Sequence, residues 1–162
     1  MKSLYLKYFL LIKNKPLFCN NIFNINYKLL FKERIIFIMK KCLFTGVATA
    51  LATPFNENGI NIQEFKKFIH FQISSGIDAL VVCGTTGEAS TMTKDEKASA
   101  IKCVIETVKE SNSSKKIPVI VGTGSNNTAT AIEMSILAEG LGADGLLVVT
   151  PYYNKTTQNR VN

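Results

Sequence analysis

The sequence predicts an α/β protein built on a parallel sheet. Three observations carry this. From residue 44 onward, short continuous apolar runs alternate with amphipathic helical stretches. The later apolar runs end in clusters of Gly, Thr or Pro, the turn chemistry expected between strand and helix. The composition, 46% hydrophobic and 19% charged over 162 residues, is that of a folded chain of one domain or part of one.

The leader comes first and stands apart. Residues 1–38 contain no Gly, Ala or Val and consist mainly of Lys, Asn, Ile, Leu, Phe and Tyr. Seven basic side chains there face Glu33 alone, so the leader holds +6 of the chain's net +7. Leu4–Ile12 is apolar but carries Lys7, and no small-residue cleavage site follows, so it is a poor secretory signal. No stretch reaches the about 18 apolar residues of a membrane span. Met39-Lys40-Lys41 reads as an ordinary start followed by a strand. Residues 1–38 are therefore expected to be a leader outside the fold, unstructured or translated from a misplaced start.

The body then runs in order. Phe44–Leu51 is apolar with small residues and leads into Thr53-Pro54-Phe55, after which Asn58-Gly59 marks a turn. Asn61 with Glu64 three residues on predicts a capped helix start, Phe65, Phe68, Ile69 and Ile73 give its apolar stripe, and Gly76 ends it. His70 lies in this helix with no visible catalytic partner and reads as structural. Ala79–Cys83 is a continuous apolar run, as in a strand buried on both faces. Thr93 and Glu96 form a second capping box, and Ala98, Ile101, Ile105 and Val108 are the stripe of the next helix. Pro118–Val121 is the third strand, Thr128–Leu141 the third helix and Gly145–Val149 the fourth strand. A βαβαβαβ order with right-handed crossovers fits an open doubly wound sheet or part of a (β/α)8 barrel. In both, chemistry gathers at the carboxyl ends of the strands, where Thr85, Thr86, Thr123 and Tyr153 fall.

Several functions are disfavoured at this level. Residues 39–162 carry 12 basic against 11 acidic side chains, with no basic stripe for a nucleic-acid backbone. Cys19, Cys42, Cys83 and Cys103 include no CxxC pair, and His70 is the single histidine, so metal-ligand spacing is absent. Cys83 and Cys103 read as buried thiols of a reducing compartment. Gly122-Thr123-Gly124 lacks the third glycine of a dinucleotide fingerprint, Asn127 standing in its place, and no acidic residue ends the following strand. A small nucleotide-binding domain is the weaker reading of this turn.

Gly84-Thr85-Thr86-Gly87-Glu88 offers more. Its two hydroxyls and its backbone N–H groups lie between a buried strand and a helix, an arrangement able to hold a carboxylate or phosphate oxygen. A plain Gly-rich turn is the equal alternative. Tyr152-Tyr153-Asn154 after the fourth strand can relay protons or pack at an interface, and two adjacent tyrosines cannot both enter one site.

From Met39 on, these motifs resemble the amino-terminal half of the dihydrodipicolinate synthase family. The matching pieces are Phe44-Thr45-Gly46, Ala52-Thr53-Pro54-Phe55, Gly84-Thr85-Thr86-Gly87-Glu88, Gly122-Thr123-Gly124 and Thr150-Pro151-Tyr152-Tyr153-Asn154-Lys155. Order and spacing agree over residues 41–158. The resemblance implies a (β/α)8 TIM barrel, here truncated after about its fourth strand, since such barrels need about 250 residues. It implies a lyase that condenses pyruvate with L-aspartate 4-semialdehyde through a Schiff base to a lysine on the sixth strand, a residue not found in residues 39–162. Lys155 matches a variable basic residue instead.

By the family pattern, Thr86 binds the pyruvate carboxylate. Thr85 and Tyr153 belong to a hydroxyl proton relay, with Tyr153 reaching into a neighbouring subunit. Tyr152 and Asn126 lie at the dimer interface near a lysine feedback site. Lys94 and Lys97 stand where lysine-sensitive members carry histidines, and Thr130 stands where they carry a glutamate. The resemblance further implies a cytoplasmic homotetramer with no cofactor, no metal and no nucleic-acid or membrane partner. Two alternatives stay open. One is a related pyruvate-dependent aldolase such as N-acetylneuraminate lyase, although those tend to have Ser where Thr85 stands. The other is a non-catalytic half-barrel acting as an interaction module.

Overall fold

The computed structural model describes residues 7–12, 15–17, 42–111, 113–150 and 152–153. In chain order they form β1 (Lys7–Ile12), β2 (Lys15–Leu17), β3 (Ala48–Ala50), β4 (Phe55–Asn56), β5 (Gly59–Ile60), α1 (Ile62–Ser74), β6 (Ala79–Val82), a 3₁₀ turn (Thr85–Gly87), α2 (Lys94–Glu110), β7 (Val119–Gly122), α3 (Thr128–Leu141) and β8 (Gly145–Thr150). The main sheet has the order β2-β1-β8-β7-β6-β3. Within it β3, β6, β7 and β8 are mutually parallel, the expected βαβαβαβ arrangement. The sheet is open: β3 and β2 are its two ends. The first body strand is shorter than the apolar run 44–51 suggests, covering only Ala48–Ala50.

The parallel register is fixed at the amino ends by one device used twice. Asp78, after the end of α1, donates its backbone N–H to the Val47 carbonyl at 2.9 Å and accepts the Val47 N–H on its carboxylate at 2.8 Å. Asp144, after α3, treats Val119 in the same way, at 2.9 and 3.1 Å. A lysine then neutralises each carboxylate, Lys115 on Asp78 at 2.6 Å and Lys116 on Asp144 at 2.9 Å. The Lys115 ammonium, followed by the Val47 N–H, holds the Asp78 carboxyl below its ordinary range.

The helices start and stop where their caps dictate. The Asn61 side chain accepts the Glu64 N–H at 3.2 Å, while the Glu64 carboxylate goes to Lys67. At α2 the box is complete: Thr93 accepts the Glu96 N–H, and Glu96 accepts the Thr93 N–H at 2.7 Å. That reciprocal bonding, led by the Thr93 N–H, lowers the Glu96 carboxyl. Asn127 caps α3 through the N–H groups of Ala129 and Thr130. Between helices and sheet lies one apolar core. Phe65 and Ile69 of α1, Ile101, Val104 and Ile105 of α2, and Met134 and Ala138 of α3 pack with Leu80, Val82, Val119 and Val121 of the strands. Burying each large apolar side chain contributes about 1.5–3 kcal/mol. His70 lies on the exposed side of α1.

The leader supplies what its composition did not suggest. β1 pairs antiparallel with the whole of β8, from Lys7 opposite Thr150 to Ile12 opposite Gly145, and β2 pairs with β1 outside it. β2 ends the sheet as three residues, Lys15-Pro16-Leu17, and proline on an outermost strand offers no N–H to a further strand.

Residues 39–162 expressed without the leader are expected to self-associate or to melt without cooperativity. Both outer edges of the parallel strands, on β3 and β8, then lie bare. Size-exclusion chromatography and a thermal melt check this, and a monomer with a sharp melt would contradict it.

Candidate functional site

The carboxyl ends of β6, β7 and β8 carry the candidate site. After Val82 the backbone turns through Cys83 in the left-handed region (φ +55°), enters the Thr85–Gly87 turn, and leaves through Glu88 at φ +56°. Bulky residues rarely adopt this conformation, so the turn is held under strain at both ends. It presents both threonines outward, and Thr85 and Thr86 are exposed. The Thr85 hydroxyl is hydrogen-bonded to the Tyr153 hydroxyl, either oxygen being able to donate. Tyr153 follows β8 and is itself left-handed at φ +54°. Sixty-eight residues of sequence separate two hydroxyls that the fold brings together. The resemblance has Tyr153 reaching into a neighbouring subunit, whereas within this chain it meets Thr85 of the same chain. Among the described residues no side chain takes up the Thr86 hydroxyl.

Tyr152 stays beside Tyr153 and in contact with it. Its ring is half-buried beside Gly124, where a Cβ would lie 3.3 Å from it, and meets Tyr153 edge-on with centroids 4.8 Å apart. Burial, and then the neighbouring Tyr153, raise the Tyr152 phenol. Asn126 is exposed in the same loop, just before the cap of α3. Thr123 is buried at the end of β7, its hydroxyl hydrogen-bonded at 3.0 Å to that of Ser135 of α3, which itself donates to the Ala131 carbonyl. The Gly122-Thr123-Gly124 turn is thus filled by the protein's own Cys83 backbone, Ser135 and Tyr152, which leaves the dinucleotide reading without room. Lys155 lies outside the described residues.

Two residues of the sequence motifs, neither given a role above, support the turn. Gly122 runs so close to β6 that a Cβ there would lie 2.1 Å from the Cys83 carbonyl oxygen. Thr53, buried beyond β3, donates its hydroxyl to the Gly87 carbonyl at 2.9 Å. In the sequence Thr53 stands only as a hydroxyl at the end of an apolar run and as part of Ala52-Thr53-Pro54-Phe55. Nearby, Lys94 at the start of α2 forms an ion pair with Glu133 of α3. Among the described residues no helix is long and apolar enough to cross a membrane.

The Dihydrodipicolinate synthetase family matches this chain over residues 43–162. The chain is similar to 4-hydroxy-tetrahydrodipicolinate synthase 1 of Clostridium acetobutylicum, 56% identical over 116 residues that make up 72% of this chain and 38% of that protein. Among solved structures, dihydrodipicolinate synthase from Thermotoga maritima is 42% identical with a TM-score of 0.66, covering 73% of this chain and 38% of that one. The chloride-inhibited dihydrodipicolinate synthase from Acinetobacter baumannii, solved with pyruvate, is 40% identical with a TM-score of 0.64, covering 72% and 38%. The chain therefore spans less than two-fifths of the length of these relatives.

The buried and exposed cysteines should differ sharply in reactivity. Burial pushes the Cys83 thiol from 9.0 up to about 12, with Lys97 pulling weakly the other way. At pH 8 it is then ionised to about one part in 10⁴, and the thiolate is the reactive form. Iodoacetamide is expected to alkylate exposed Cys42 and to spare Cys83 until the chain unfolds, as read by peptide mass spectrometry. The stability tied to a neutral Cys83 is intact below pH 9.0 and is lost as pH rises toward about 12.

Proposed function

The chain belongs to the dihydrodipicolinate synthetase family, and we propose that it is the amino-terminal part of a 4-hydroxy-tetrahydrodipicolinate synthase, a lyase of lysine and diaminopimelate biosynthesis. In this reading pyruvate forms a Schiff base and then an enamine, which adds to L-aspartate 4-semialdehyde. The amine nucleophile comes from the part of the barrel beyond the matched stretch, because covalent catalysis of this kind needs a lysine placed in the site. Thr86 binds the pyruvate carboxylate, and its outward-facing hydroxyl suits that role. Thr85 and Tyr153 move protons. A phenol held by a second hydroxyl can accept a proton on one side while donating on the other.

The single observation behind this reading is the Thr85–Tyr153 hydroxyl contact at the carboxyl ends of β6 and β8. Tyr152 and Asn126 belong to the interface and the regulatory region of the assembled enzyme, a homotetramer of the cytoplasm. No cofactor is required.

The reading is tested by joining residues 39–162, without the leader strand that occupies the edge of β8, to the remaining part of the Clostridium acetobutylicum relative and measuring condensation of the two substrates. Activity is expected, and Thr85→Val is expected to lower kcat by about 10²–10⁴-fold, the usual contribution of a positioned proton-transfer group. A Thr85→Val enzyme with unchanged kcat would sink the relay.

In the same enzyme, feedback by lysine is expected to be weak. Lys97 places a like charge, and Thr130 a neutral group in place of a carboxylate, where a cationic ligand needs the opposite, while Lys94 is already paired with Glu133. Strong inhibition in the millimolar range would contradict this.

A further inference from the structure

We infer that Thr53 is a positioning residue that sets the Thr85–Thr86 turn from below. The turn has two neighbours, one on each side of β6. On the β7 side, Gly122 seats against the Cys83 carbonyl with no space for a side chain. On the β3 side, the chain continues past Ala50 in close pairing, with the Leu51 N–H on the Val81 carbonyl at 2.8 Å. Two residues further on, Thr53 is 6% exposed and spends its hydroxyl on the Gly87 carbonyl. The apposition is tight. A Cβ on Gly87 would lie 3.0 Å from the Leu51 carbonyl oxygen and 3.1 Å from the Thr53 hydroxyl.

Geometry explains why such an anchor is needed. Cys83 and Glu88, at the two ends of the turn, both occupy the left-handed region, and neither is glycine. Backbone strain of this kind persists only where the surroundings over-determine it. Gly122 holds the entry to the turn and Thr53 holds its exit. With the Thr53 hydroxyl gone, the buried Gly87 carbonyl loses its side-chain donor, and a buried acceptor left unpaired drives local rearrangement. The exit of the turn then relaxes, and the Thr85 hydroxyl withdraws from Tyr153. Thr53 touches no reacting atom in this account; it acts through the turn. The inference rests on the proposed function only for its catalytic meaning, since the placement of Thr85 can be read without turnover.

The test uses the full 162-residue chain with 3-fluorotyrosine at position 153 and ¹⁹F NMR. Thr85→Val fixes the resonance of a Tyr153 deprived of its partner. Thr53→Val, which keeps the shape and removes the hydroxyl, is expected to move the Tyr153 resonance most of the way to that position. Thr53→Ser is expected to restore it. A residue that served stability alone would lower Tm and leave the resonance in place. The inference is overturned if Thr53→Val keeps the wild-type resonance while Thr85→Val moves it. If Thr85→Val itself moves nothing, the Thr85–Tyr153 contact fails, and the proposed relay falls with the inference. Should Thr53→Val not fold, Thr53→Cys, a weaker donor of similar size, is expected to give an intermediate shift, and a wild-type resonance there overturns the inference equally.

Discussion

A carboxylate that accepts the first N–H of a neighbouring strand governs much of this structure. Asp78 and Asp144 each do this from the loop that precedes their own strand, and each returns a backbone N–H to the same partner residue. Parallel strands have no tight hairpin to set their register, so something else must. Here two short loops do so from the amino ends. Once Val47 is fixed against Asp78 and Val119 against Asp144, the registers of β3 against β6 and of β7 against β8 follow, and the Leu80 N–H on the Pro118 carbonyl joins the two pairs. A slip of one residue would reverse every side chain on the strand and would carry Thr85 away from Tyr153.

The far end of the sheet is arranged differently. The amino ends are held by charge and hydrogen bonds at half-exposed positions, the carboxyl ends by close backbone approach and by buried hydroxyls. Thr53 and Thr123 are both almost fully buried, and each is hydrogen-bonded at the base of a loop that carries candidate site residues. Their apolar surroundings exclude water that could compete for those bonds. The exposed hydroxyls of Thr85 and Thr86 therefore stand on a dry foundation, the usual way a fold keeps reactive groups in one arrangement while leaving them accessible.

The body was legible because its signals are local. Asn61, Thr93 and Asn127 announce their helices by side-chain chemistry within three residues, and the apolar runs of β6, β7 and β8 read as strands buried on both faces. The Thr85–Thr86 turn was legible as a site through its glycines and hydroxyls. Three things were not. The left-handed Cys83 leaves no trace in a sequence where cysteine seldom adopts that conformation. Thr53 acts on Gly87 across 34 residues, and no local pattern encodes that pairing. The leader's unusual composition sets it apart from the body, yet Tyr8-Phe9-Leu10-Leu11-Ile12 is a continuous apolar run that includes the strand formers Tyr8, Phe9 and Ile12, and its partner is β8.

That partnership has a consequence for how the molecule is made. β1 is made before the whole stretch from β3 to α3 and β8 after it, so their pairing closes a loop that spans all three helices. Such contacts form late, because loop-closure entropy is spent before any pairing energy returns. During synthesis the units from β3 to α3 can fold as they emerge, each closing over a short distance, while the leader waits with its apolar run unpaired. For that interval, the nascent chain presents the sort of segment that chaperones bind.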